Sequence, residues 1–180
     1  LYRERYMDHS AALRTLKPAI ELFQQVEESM AREDYDQAET SFKQGLKLAP
    51  RDYAGLVMMA KCQMVKEKYD KALRFSEKAK QVYPQEAQAN HLSGLAKIKL
   101  KKFDQAVADF GQAIRCDPEY IPAYSSRGFA WFLQDEAEKA IPDFDKVLQL
   151  NPKSAVAYNN RGFNKQLLGK YRAALADYDA

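Results

Sequence analysis

Few residues in this sequence could do chemistry: His9 beside Asp8, the isolated His91, Cys62 and Cys116, the Ser125–Ser126 pair, and Arg127 and Arg161. A metal centre needs its ligands gathered at set spacings. The two cysteines lie 54 residues apart, with no CxxC and no HExxH anywhere in the chain. They read as small apolar fillers on helices. Nucleophile elbows, phosphate-cradling glycine loops and paired carboxylates at a pocket are also missing from the pattern. This segment is therefore expected to be non-catalytic and to need no metal and no cofactor, whatever a longer chain would do. Arg127 and Arg161 could bind an anion, but each stands beside a glycine in the repeated stretches "AYSSRGF" and "AYNNRGF". That placement predicts stacking over neighbouring aromatics or pairing with helix carboxylates. The Ser125–Ser126 pair reads as a polar part of a binding surface.

Composition narrows the class of partner. The 180 residues carry 28 basic against 25 acidic side chains, a net charge of +3 with no basic stripe, so no nucleic-acid role is expected. With 46% hydrophobic residues, the chain can bury a core without disulfide or metal. Mean hydropathy is −0.59, and no apolar run approaches the roughly 20 residues needed to cross a bilayer, so no direct membrane insertion is expected. No signal peptide opens the chain, which begins at Leu1 rather than Met and stops at Ala180 inside a helical pattern. It reads as a piece of something longer, with the compartment, cytoplasmic or bacterial periplasmic, left open.

The elements that must position any site are written in a 34-residue period. Ala38, Ala72, Ala106, Ala140 and Ala174 fall in register, as do Pro50, Pro84, Pro118 and Pro152. Tyr35, Tyr69, Phe103 and Tyr171 precede four of those alanines by three residues, with Ala137 as the exception. Phe42, Ser76, Phe110, Phe144 and Tyr178 follow the alanines by four. Gly94, Gly128 and Gly162 keep the same spacing, with Ala60 and Val26 at the equivalent upstream places. The small residue is expected to face the bulk of Tyr35 and its counterparts, letting two helices approach, while the alanine admits a neighbouring helix. Each proline ends a helix and starts the turn to the next, because it cannot continue the hydrogen-bond ladder. The unit is helix, short turn, helix, proline turn. Val26 predicts looser packing of the first hairpin, and Pro142 inside a predicted helix makes the fourth repeat the least regular.

On these residues the chain resembles the tetratricopeptide repeat family, whose unit is a 34-residue helical hairpin with small residues at these places and a closing proline. The resemblance implies an all-α fold, a right-handed superhelical solenoid of antiparallel helix hairpins whose first helices line a concave side. It covers residues 19–180: repeats at 19–52, 53–86, 87–120 and 121–154, and a partial one at 155–180. Residues 1–18 read as an extra amphipathic capping or linker helix with Tyr2, Tyr6, Leu13 and Leu16 on one side. The repeat style looks most like bacterial members of the family.

First helices carry two apolar stripes and therefore face two neighbours. In the fourth repeat Tyr124, Gly128 and Trp131 meet the partner helix, and Ser125, Phe129, Phe132 and Leu133 form a second stripe. Followed between repeats, that stripe reads Met30, Met64, Ile98, Phe132, Gln166; then Glu27, Lys61, Leu95, Phe129, Phe163; then Phe23, Val57, His91, Ser125, Asn159. The candidate groove is thus Met64, His91, Leu95, Ile98, Ser125, Phe129, Phe132, Asn159 and Phe163. Its carboxy-terminal half is expected to grip an extended or helical apolar peptide, with Asn159 bonding peptide backbone. Co-chaperone members of the family clamp a terminal carboxylate with Lys, Asn and Arg on successive first helices. The matching places here carry His91, Leu95, Ser126, Val156 and Asn160, so no such clamp is expected.

The function these features predict is a non-catalytic protein-interaction scaffold holding a protein or peptide partner. The alternative is a non-catalytic extension of a larger enzyme, resembling the repeat tails of some bacterial envelope metalloproteases. An uncovered apolar face after Tyr178 further predicts self-association through the last, partial repeat.

Overall fold

In the computed structural model the described chain is residues 10–180, with side chains from Lys17 onward; Tyr2, Tyr6, Asp8 and His9 lie outside it, as do the side chains of Leu13 and Leu16. The described residues form ten helices and no strand. They are α1 (Ser10–Ala31), α2 (Tyr35–Leu48), α3 (Tyr53–Val65), α4 (Tyr69–Val82), α5 (Ala87–Lys99), α6 (Phe103–Cys116), α7 (Ile121–Phe132), α8 (Ala137–Leu150), α9 (Ala155–Leu167) and α10 (Tyr171–Tyr178). They fall into two compact units, Leu1–Pro84 and Gln85–Ala180.

Helix ends follow local chemistry. Asp34, Asp52 and Ser154 cap α2, α3 and α9 by accepting hydrogen bonds from the backbone N–H groups of Gln37, Gly55 and Ala157. The turn inside every hairpin is the same device. Glu33, Glu67, Lys101 and Asp135 sit in the left-handed region at φ 56–60°, and Gly169 at φ 71°. The N–H after each donates back across the turn, from Asp34 to Ser29 O at 2.9 Å and from Lys102 to Lys97 O at 2.8 Å, which closes a Schellman motif.

In the first unit, α1 packs on α2 and α3 on α4, and α2 joins the two hairpins by packing on α3. α1 is one continuous helix: Ser10–Lys17 run through Pro18 into the first repeat, where a separate helix ending at residue 18 was expected. Val26 is fully buried against Ala38, Phe42, Met59 and Cys62. Phe23 fills the space over Gly45 and Gly55, where an added Cβ would stand 2.6 and 2.7 Å from its ring.

The second unit stacks three hairpins, α5–α6, α7–α8 and α9–α10, with α6 packed on α7 and α8 on α9. The recurring alanines are buried throughout. The small residues do not face the Tyr35 series. A Cβ on Gly94 would meet the Phe110 ring at 2.4 Å, one on Gly128 the Phe144 ring at 2.8 Å, and one on Gly162 the Tyr178 ring at 2.8 Å. The close approach is therefore to the aromatic four residues after the alanine, which shares the alanine's inward face. Pro142 leaves the Glu138 carbonyl without an intrahelical donor, yet α8 runs unbroken for 14 residues.

Candidate peptide-binding face

The repeated heptad builds structure before it builds a surface. Arg127 on α7 donates through Nη2 and Nε to Asp143 on α8, at 2.6 and 2.9 Å, with its guanidinium 5.9 Å from the Tyr124 ring centre. Arg161 on α9 repeats this with Asp177 on α10 at 2.6 and 2.9 Å, adds Asp145 on α8 at 2.6 Å, and lies 5.5 Å from the Tyr158 ring centre. Both predicted roles, stacking and pairing, are filled at once. In the third hairpin Asp109 takes Ser93 Oγ at 2.5 Å and Lys97 Nζ at 2.6 Å. A buried aspartate thus recurs at 109, 143 and 177, each just before an aromatic. This series went unread in the sequence, although "ADF", "PDF" and "ADY" mark it at 34-residue spacing.

The three carboxylates differ in how burial and charge balance. Burial pushes the Asp143 carboxyl above its ordinary range, more than Arg127 pulls it down. Asp177 is also desolvated, but Arg161 and Lys165 together hold it below that range. In the first unit Glu39, bonded by Lys43 and Lys66, is drawn down to about 2 against its burial. Burial raises the Cys62 thiol, which leaves it protonated and unreactive. Among the described residues no group of three His, Cys, Asp or Glu is placed to hold a metal ion, and no helix is long and apolar enough to cross a membrane.

With that inner network in place, one face of α7 and α9 is left uncharged. Arg127 is the sole charge on α7, and Arg161 and Lys165 are the charges on α9. All three are held by aspartates of α8 and α10. On the opposite side Phe129 and Phe163 remain 44% and 43% exposed. Phe132 is half-buried between them, with ring centres 6.0 Å from Phe129 and 5.5 Å from Phe163. Ser125 and Asn159 stand one helical turn before the two exposed rings, half-buried and exposed respectively.

The remaining candidates are placed differently. Leu95 and Ile98 are half-buried and pack against Ala106, Phe110 and Ala130, so they serve the edge of the core. His91 reaches from α5 to Ser126 Oγ on α7 at 2.9 Å, between the rings of Phe110 and Tyr120 at 5.6 and 5.4 Å. The serine it meets was legible only as a polar surface residue. Met64 is half-buried on α3 of the first unit. On α10, Tyr171, Leu175 and Tyr178 are exposed, the face on which self-association was expected.

Paired antiparallel helices repeated along a chain define a helical-repeat protein, a class generally without catalysis of its own. Profiles of the tetratricopeptide repeat match residues 29–98 and 91–155, and the chain belongs to the tetratricopeptide repeat family. None of the proteins of curated function matches it in sequence. Solved structures share the fold. A MamA fragment from Desulfovibrio magneticus RS-1 superposes with a TM-score of 0.82 at 18% identity, covering 90% of this chain and 92% of that one. TTC0263, a thermophilic TPR protein of Thermus thermophilus, gives 0.73 at 22%, covering 89% and 88%. YrrB, described as a TPR protein with an unusual peptide-binding site, gives 0.73 at 19%, covering 94% and 88%. The chain is an all-helical solenoid of this type, and a protein-interaction scaffold is the role its repeats support.

Proposed function

We propose that the exposed face of α7 and α9 holds an uncharged, apolar peptide segment of a protein partner and performs no chemistry on it. The observation that carries this reading is the pair Phe129 and Phe163, each more than two-fifths exposed and bridged by Phe132, on a face whose helices have every charge neutralised elsewhere. Aromatic rings supply large contact area with few rotamers to freeze, and the Asn159 amide offers both a donor and an acceptor to a peptide backbone. The peptide-binding site attributed to YrrB, similar in fold, is consistent with such a role. A Phe129→Ala, Phe163→Ala double variant separates binding from packing. The expected result is that affinity capture from source-cell lysate, followed by mass spectrometry, yields a partner with the native chain and not with the variant, while the variant's Tm stays close to native. A large fall in Tm would assign the two rings to the core and overturn the proposal.

A further inference from the structure

The second hairpin breaks the pattern of the buried aspartate series. Where the later hairpins place Ser93, Arg127 and Arg161, it has Met59; in place of Lys97, Trp131 and Lys165 it has Gln63; in place of Asp109, Asp143 and Asp177 it has Phe75. No ion pair can form there, and the first unit instead contains a cleft of about 550 Å³ between α2, α3 and α4. Met59 and Phe75 line it, together with Gln63. Gln63 is 1% exposed, its amide nitrogen lies 3.6 Å from the Met59 sulfur and also serves the Glu39 carboxylate, and its amide oxygen is buried with no hydrogen-bond partner. A buried acceptor in that state is unfavourable until a donor reaches it.

The rim of the cleft is cationic. The acids that line it are already engaged, Glu39 by Lys43 and Lys66 and Glu77 by Lys80 at 3.1 Å. Lys71 and Arg74 have no ion pair among the described residues, and Lys78 lies 5.8 Å from the centre of the Phe75 ring without a carboxylate partner there. An apolar interior, one orphaned acceptor and three uncompensated cations define the complement: a bulky apolar side chain, a backbone N–H and flanking carboxylates. We propose that this cleft docks a short acidic peptide segment bearing one large apolar residue. That residue fills the space over Met59 and Phe75, a backbone N–H of the segment supplies the donor Gln63 lacks, and its acidic neighbours meet Lys71, Arg74 and Lys78. The site is separate from the uncharged face of α7 and α9 and selects an acidic segment rather than an uncharged one.

The test uses the full chain and fluorescent capped peptides with a central leucine or phenylalanine flanked on each side by two glutamates, read by polarisation at low and high sodium chloride. The expected result is saturable binding that weakens at least tenfold with a central alanine, with glutamine flanks, or with the Lys71→Glu, Arg74→Glu variant, and that weakens as salt rises. A Gln63→Lys, Phe75→Asp variant, which writes the third hairpin's Lys and Asp into the second, should lose binding with its helical circular dichroism retained. If that variant unfolds, the charge-reversal variant decides alone, because both of its sites are exposed. The Phe129→Ala, Phe163→Ala variant should bind the acidic peptide as the native chain does, so failure here is distinct from failure of the proposed face. No binding at millimolar peptide, binding indifferent to the central residue, or equal competition by a single-stranded oligonucleotide would overturn the proposal, the last two by showing a general polyanion surface.

Discussion

Replacing Gly94 with alanine and, separately, Gly111 with alanine should move stability in opposite directions. Both glycines lie inside helices, so each substitution gains the same helix propensity, about 0.8–1.0 kcal/mol. Their surroundings differ. A Cβ on Gly94 would lie 2.4 Å from Phe110 Cε1 and 2.7 Å from Cδ1, far inside the optimal carbon separation of about 3.5–4.0 Å. Phe110 is fully buried against Ala106 and Ala130 and has no open side to swing into, so α5 must back away from α6. Overpacking of this kind costs about 1–3 kcal/mol. A Cβ on Gly111 meets nothing nearer than the Nη1 atoms of Arg115 and Arg127, both at 3.7 Å, an ordinary contact. Gly111→Ala should therefore stabilise by about 0.5–1 kcal/mol, while Gly94→Ala loses up to about 2 kcal/mol net. Propensity cancels in the comparison, so the gap between the two variants isolates the contact between the helices. Urea unfolding followed by far-ultraviolet circular dichroism measures both midpoints. Equal shifts in the same direction would show that the α5–α6 approach does not depend on the missing Cβ.

The left-handed turn at Lys101 gives a second prediction. Its φ of 58° is the conformation that Gly169 adopts in the last hairpin, so Lys101→Gly should raise stability by roughly 0.5–1 kcal/mol, and a lowered urea midpoint would contradict the strain. The buried aspartates predict opposite acid responses. Asp177 is held below its ordinary value of 3.8, so its contribution is present above that pH and lost as pH falls toward the folded-state value; Asp177→Asn should flatten the acid limb of a stability–pH curve. Asp143 is raised above 3.8, so the folded state keeps its proton longer than the unfolded one and stability falls as pH rises through that window. Asp143→Asn should remove that fall, and identical pH profiles for the two variants would refute the distinction.

The sequence by itself determined the hairpin and its repetition. Alanines, glycines and prolines every 34 residues admit one periodic solution, since each acts locally, by size or by ending a helix. The partners of Arg127 and Arg161 were legible as a class for the same reason: an arginine beside a glycine at a helix contact has aromatics and carboxylates within reach. Packing decided the rest. Which aromatic fills the space over Gly94 depends on the relative rotation of two helices, and the answer, Phe110 rather than the Tyr35 series, appears once they are docked. Leu95 and Phe129 occupy equivalent places one repeat apart, yet Leu95 packs against Phe110 and Ala130 while Phe129 keeps 44% of its surface in solvent. The left-handed turns at Glu33, Glu67, Lys101 and Asp135 were hidden because only Gly169 carries the residue type that announces them. The cleft lined by Met59, Gln63 and Phe75 is enclosed by side chains of α2, α3 and α4, and a volume exists only after the helices that enclose it have met.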